Sequence, residues 1–200
     1  MLKYVKVYKV GISVFSMRTF VAIELPDEIR AKIFNAFEKV KEANLVRGKF
    51  VEKENLHLTL KFFGELTNDQ VKKVEDALAK INFSSFDCEV GEVGVFPHPN
   101  HPKVVWVSLK SDSDEFKTLY ESIDKSTKKM GFAESEDKFE SHVTTLRLYV
   151  VKSKEMFDKK LSEIHFKNII FKIDSFSLIK SELTNQGPIY KTLKKFSLKN

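Results

Sequence analysis

Two short runs in this chain alternate apolar and polar residues with a period of two, the pattern of a β-strand that buries one face. In Leu56-His57-Leu58-Thr59-Leu60-Lys61 the leucines fall on one face, and His57, Thr59 and Lys61 fall on the other. In His142-Val143-Thr144-Thr145-Leu146 the same spacing puts His142 beside Thr144, with Leu146 standing where the first run has Lys61. Around these runs the pattern predicts a strand over Thr19 to Leu25, then a helix opened by Pro26-Asp27-Glu28 and reaching about Ala43. Thr67-Asn68-Asp69-Gln70 resembles a capping box for a helix with Val71, Val74, Ala77, Leu78 and Ile81 on one face. A long strand from Phe86 to Phe96 follows, joined through the rigid Pro97-His98-Pro99-Asn100-His101-Pro102 segment to a hairpin partner over Val104 to Leu109. A helix from Asp114 to Met130, the His142 strand, a helix from Ser153 to Ile164, and a strand pair over Phe166 to Leu183 and Pro188 to Leu198 complete the chain.

Each half therefore runs strand, helix, His-x-Thr strand, helix, strand, if Val104 to Leu109 opens the second half. The histidines are separated by 142 − 57 = 85 residues in a chain of 200, the spacing of a duplicated unit. Strands interrupted by helices could build a parallel α/β sheet, but the hairpin pairs near Pro97 and Gly187 and the clean alternation of the motif strands favour α+β with antiparallel sheets. No low-complexity linker divides the chain, so the expected organisation is two lobes of one body, over 17–102 and 103–200, with exchange of strands allowed. Residues 1–16 lack the apolar core and cleavage site of a signal peptide and read as an appendage or start-site extension.

Composition narrows the partner more than the fold. The hydrophobic fraction of 42% supports a sizeable core, and most of the 18 phenylalanines fall in the periodic segments where that core would form. A formal charge of +6 and a pI near 9.2 favour a polyanionic partner, although charges of both signs cover the chain. Cys88 is the only cysteine, so no internal disulfide can form, which fits a reducing cytoplasm. No apolar stretch approaches a membrane span. Abundant lysine and glutamate with scarce glutamine is the bias of thermophiles.

The motif strands carry the chemistry. A lone histidine on a strand is usually a half-buried structural residue, but two imidazoles, each with a hydroxyl beside it and one in each half, point to a paired acid and base around an anion. His98 and His101 are spaced for a metal, yet they sit among prolines without a carboxylate or thiol and read as a solvated turn. His165 reads as a boundary residue opening a strand. Lys152 to Lys160 alternates bases with acids, as a solvent-exposed helix face does.

With these residues in view, the chain resembles the 2H phosphoesterases, and within them the LigT-like RNA 2′,3′-cyclic phosphodiesterases, also called 2′-5′ RNA ligases. The resemblance covers essentially all of 17–200. It rests on the two His-x-Thr motifs, on Met17-Arg18-Thr19-Phe20-Val21-Ala22-Ile23, on His57 through Gly64, on Gly94-Val95-Phe96-Pro97 leading to Val105-Trp106-Val107, and on Ser181-Glu182-Leu183-Thr184-Asn185-Gln186-Gly187-Pro188-Ile189-Tyr190. It implies two pseudo-symmetric lobes, each a β-α-β-α-β unit, with the motif strands facing a cleft. It also implies His57 as proton donor, His142 as proton acceptor, and Thr59 and Thr144 as ligands of the phosphate oxygens. A basic residue five positions after the second histidine is usual in the family and is Arg147 here. Strict alternation puts Arg147 on the face opposite His142, so a bulge or strand end is required for it to reach a phosphate. Thr145 stands where the family more often has a bulky aliphatic, a difference expected to affect packing.

On this reading the substrate is RNA ending in a 2′,3′-cyclic phosphate, tRNA halves among the candidates, and the product a 2′-phosphate, with reversal giving a 2′-5′ linkage. No metal, cofactor, membrane or obligate protein partner is expected. Phe20, Phe63 and Tyr190 are candidates to stack on a base, with core packing the competing role. Two alternatives remain open: a noncatalytic RNA-binding module of the same fold, and a phosphodiesterase for small cyclic nucleotides.

Overall fold

The structure is a computed structural model and describes residues 16–132, 138–185 and 187–200; the expected N-terminal appendage falls outside these, apart from Ser16. Among the described residues nine strands form one curled sheet, with helices packed against it through a shared apolar core. Strand β1 (Ser16–Glu24) leads into helix α1 (Asp27–Glu42). Ile29, Ile33, Phe37 and Val40 recur at helical spacing, so a single face of α1 is buried. A short strand not anticipated from the sequence, β2 (Val46–Phe50), precedes the first motif strand, β3 (His57–Thr67). The expected capping box is present: Gln70 N–H donates to Thr67 Oγ1 and Thr67 N–H donates to Gln70 Oε1, opening α2 (Asn68–Leu78).

Strands β4 (Phe86–Phe96) and β5 (Val104–Lys110) form the expected antiparallel hairpin, with Phe96 opposite Val104. Helix α3 (Glu115–Thr127), the second motif strand β6 (His142–Val151) and α4 (Lys154–Ser162) follow. The segment expected to be one strand over Phe166 to Leu183 is two, β7 (Ile170–Ile173) and β8 (Ser175–Thr184), before β9 (Gly187–Ser197) closes the chain. Asp174 separates them, and its carbonyl accepts from Leu198 N–H. The break lets β7 pair with β4 while β8 pairs with β1. His165 lies in the exposed loop before β7 and does not open a strand.

The sheet runs β7-β4-β5-β6-β3-β1-β8-β9, with β2 added alongside β6. All its pairings among these strands are antiparallel, as α+β requires. Chain order and sheet order differ: β4 comes from the first half but pairs with β5 and β7, while β8 comes from the second half and pairs with β1, carrying β9 with it. The two motif strands meet only at Leu58 opposite Val143, both fully buried, and a pseudo-two-fold relation runs through that pair. The strands splay on either side of it, which opens the cleft. Among the described residues no helix is long and apolar enough to cross a membrane.

Candidate active site

The antiparallel register through Leu58 and Val143 brings His57 towards Thr144, and Thr59 towards His142. All four side chains, with Arg147, line a cleft of about 700 Å³ on the concave face. The apolar partners of the alternation, Leu56, Leu58, Leu60 and Val143, are buried on the other face, so core packing fixes which way the imidazoles point.

Both motif strands carry an extra residue three positions after the histidine. In β3, Val21 pairs with Lys61 and Ala22 with Thr59, so Leu60 has no partner on β1. In β6, Val105 pairs with Leu146 and Trp106 with Thr144, so Thr145 has no partner on β5. Each is a β-bulge that reverses the alternation beyond it. Leu60 and Lys61 are consecutively buried, as are Thr145 and Leu146. The buried Thr145 hydroxyl is satisfied, donating to the Val105 carbonyl at 3.1 Å.

The bulges decide two expectations. Arg147 is carried onto the face of His142 and Thr144, where it lines the cleft, which the bulge-free alternation denied it. Lys61 goes the other way: the alternation placed it beside His57, but it is 8% exposed on the core side and forms an ion pair with Asp124 of α3 at 2.5 Å. The cleft position equivalent to Arg147 is instead taken by Phe62, which is 56% exposed and packs on Phe20 with ring centroids 5.4 Å apart. Sequence reasoning missed Phe62; its signal is the same five-residue offset from histidine that singled out Arg147.

The hydrogen bonds of the imidazoles define their protons. His57 Nδ1 lies 2.7 Å from the Asn55 carbonyl, and His142 Nδ1 lies 2.7 Å from the Glu140 carbonyl. A carbonyl only accepts, so each Nδ1 carries a hydrogen and each Nε2 is the nitrogen free to exchange a proton. His57 Nε2 is 3.0 Å from Thr59 Oγ1, which donates to it when the ring is neutral. Burial holds both histidines below their ordinary pKa. For His57 the Asn55 carbonyl and Glu24 oppose this shift, while Arg147 and His142 add to it. For His142 the Glu140 carbonyl and carboxylate oppose it, and Arg147 again adds.

Aromatic rings enclose each imidazole. Phe20 and Tyr190 stand with ring centroids 5.1 Å from that of His57, the tyrosine edge-on at 88°. Phe96 and Trp106 stand 5.1 and 6.1 Å from His142. Of the rings proposed to stack on a base, Phe20 and Phe63 are buried, and only Tyr190 remains partly open to the cleft. The cleft charges balance, with Arg30, Lys49 and Arg147 against Glu24, Glu52 and Glu54.

Other candidates stay apart from this site. His98 and His101 lie in an exposed turn, where Asn100 N–H donates to His98 Nδ1. Cys88 is buried and its thiol is pushed up to about 12, which removes it as a nucleophile. Among the described residues no group of three or more His, Cys, Asp or Glu side chains could hold a metal ion.

Comparison with known proteins agrees with the duplication. The family described as LigT like Phosphoesterase matches residues 23–106 and again 107–190. A protein of Archaeoglobus fulgidus named RNA 2′,3′-cyclic phosphodiesterase is 38% identical over 183 residues, covering 90% of this chain and 99% of that protein. A Thermotoga maritima protein of the same name is 32% identical, covering 88% and 93%. Among solved structures, TT0787 of Thermus thermophilus superposes with a TM-score of 0.74 at 25% identity, covering 92% of this chain and 99% of that one. Escherichia coli LigT in apo form gives the same TM-score at 24% identity, with 92% and 99% covered. The two matched repeats, the two bulged His-x-Thr strands and the shared cleft have one explanation: this chain belongs to the LigT-like phosphoesterase family.

Proposed function

We propose that the protein is an RNA 2′,3′-cyclic phosphodiesterase acting on cytoplasmic RNA ends, and that it joins such ends to 5′-hydroxyl RNA as 2′-5′ linkages in the reverse direction. The observation that carries this reading is the pair of imidazoles in one cleft, each with Nδ1 tied to a backbone carbonyl and Nε2 left to exchange a proton. The names of the relatives support the substrate class. A noncatalytic RNA-binding module has no need of two such anchored rings.

In the proposed reaction a water at His142 attacks phosphorus as Nε2 takes its proton, the bond from phosphorus to the ribose 3′ oxygen breaks, and His57 Nε2 gives that oxygen a proton. Thr59, Thr144 and Arg147 donate to the phosphoryl oxygens. A cyclic phosphate is strained, so positioning and proton transfer suffice. In this proposed pose one ribose oxygen stands opposite the attacking water, so a 2′,3′-cyclic end should open almost wholly to the 2′-phosphate. Phosphorus NMR of the product, run in excess EDTA and alongside a 2′,3′-cyclic mononucleotide and a 1″,2″-cyclic phosphate, tests the reading. A 3′-phosphate or a mixture of isomers would mean that the roles of the two histidines are reversed or that the substrate pose is wrong. Loss of turnover on chelation, restored by a divalent ion, would replace the mechanism.

The pH profile follows from the burial of both rings. Catalysis needs one imidazole charged and one neutral, and burial holds both below the ordinary imidazole pKa in the free protein. The singly protonated form therefore peaks on the acid side of that ordinary value. The profile of kcat/KM should be bell-shaped with its maximum there, falling on the alkaline side as the acid loses its proton and on the acid side as the base gains one. Bound phosphate favours the charged ring, so the alkaline limb of kcat should lie higher. A kcat/KM maximum well above pH 7 would contradict the assignment of these two half-buried histidines as the reacting pair.

A further inference from the structure

We propose that Asn55 is a positioning residue for His57, binding the turn that anchors the imidazole to the strand that covers it. The turn is Lys53–Asn55, a single 3₁₀ turn between β2 and β3, in which Asn55 N–H donates to the Glu52 carbonyl at 2.9 Å. Arg30 of α1 holds it from behind, donating from Nη1 to the Glu54 carbonyl at 3.2 Å while Nη2 pairs with Asp27 at 2.7 Å. The Asn55 carbonyl then receives the His57 Nδ1 hydrogen.

The Asn55 side chain does something separate. Its amide nitrogen donates at 3.2 Å to the carbonyl of Pro188, at the start of β9. Tyr190 is two residues further along β9, and its ring stands edge-on to His57 and 5.2 Å from Phe20. One residue thus fixes both the proton of the imidazole, through its backbone, and the ring that shields it, through its side chain. The second lobe is built differently. Glu140 occupies the equivalent position before His142 and supplies the carbonyl, but an acidic side chain stands where Asn55 has its amide donor.

Removing the amide should free the start of β9, let water reach His57 and loosen the ring. The groups facing His57 are Glu24 from β1, Tyr190 from β9, Arg147 and His142 from β6, and the Asn55 carbonyl. Asn55→Ala leaves each of them in the chain, so any change in His57 titration reports its hydration and placement.

The test has a kinetic arm and a spectroscopic arm. NMR titration of the His57 ring in the whole chain should show its pKa rising towards the ordinary value in Asn55→Ala and staying near wild type in Asn55→Gln, which keeps a donor. The kcat on a 2′,3′-cyclic phosphate end should fall about 10- to 100-fold in Asn55→Ala, with KM little changed, and recover in part in Asn55→Gln. An unmoved His57 titration in Asn55→Ala overturns the proposal. So does a rise in KM with kcat unchanged, since that would make Asn55 a contact to substrate. Should Asn55→Ala fail to fold, the uncharged Asn55→Leu, of similar bulk and lacking the donor, is read against Asn55→Gln by the same titration; equal values overturn the proposal. The kinetic arm rests on the phosphodiesterase reading, whereas the titration does not, so the two can fail separately.

Discussion

Replacing either His57 or His142 with alanine is expected to lower turnover of a 2′,3′-cyclic phosphate end by about 10² to 10⁴, with the fold retained. Each substitution removes one partner in proton transfer and leaves the other ring anchored to its own carbonyl. The structural loss is smaller: the hydrogen bond to a carbonyl, and for His57 also that from Thr59, at about 1 kcal/mol each, because β3 and β6 are held by the buried Leu58 and Val143 rather than by the imidazoles. His57 fills space between Phe20 and Tyr190, so His57→Gln serves as a control of similar bulk. The double variant should be scarcely slower than the worse single one, because an acid without its base has little left to contribute. Initial rates with circular dichroism of the same samples measure this. Near-normal turnover in either single variant would remove that histidine from the reaction.

Arg147→Ala should cost about 10² to 10³ in kcat, the effect of removing one donor to a developing phosphoryl charge. Arg147 has no ion pair among the described residues and is exposed on the cleft face, so thermal stability should hardly change. A second effect has a defined sign. Arg147 helps keep both histidines below their ordinary pKa, so its removal should move both limbs of the pH profile in the alkaline direction. Arg147→Lys should restore the limb positions better than the rate, since lysine keeps the charge but not the planar pair of donors. Loss of rate with unshifted limbs would mean that Arg147 acts only on substrate binding.

Much of the site could be read from the alternation of the chain. Three leucines opposite His57 and Thr59 defined the buried face of β3, and the Thr67-to-Gln70 cap and the β4–β5 hairpin followed from local residue chemistry. The misplacement of Lys61 has a physical reason: an unpaired residue reverses every side chain beyond it, and nothing in the adjacent residues marks Leu60 as unpaired. That is settled by the strand alongside, where Val21 and Ala22 set the register. Arg147 sits beyond the same step in β6, so it reaches the cleft only because of the bulge at Thr145. Strand β2 escaped notice because Val46-Arg47-Gly48-Lys49-Phe50 is short and contains Gly48, whose bare backbone lies against the Arg147 carbonyl where a Cβ would collide. The division at Asp174 likewise depends on two different partner strands, which no local pattern announces.

The crossed order of strands also bears on how the chain is made. Among the described strands β1 emerges first during synthesis, yet one of its two partners, β8, emerges after all the others but β9. Until Ile179 and Tyr190 arrive, Phe20 and Ala22 stand on an open edge with unpaired backbone groups, the kind of surface that recruits other chains. The pocket around His57 is therefore among the last parts of the molecule to be closed, and a nascent chain stalled short of β8 would carry an intact His-x-Thr pair on an uncovered sheet.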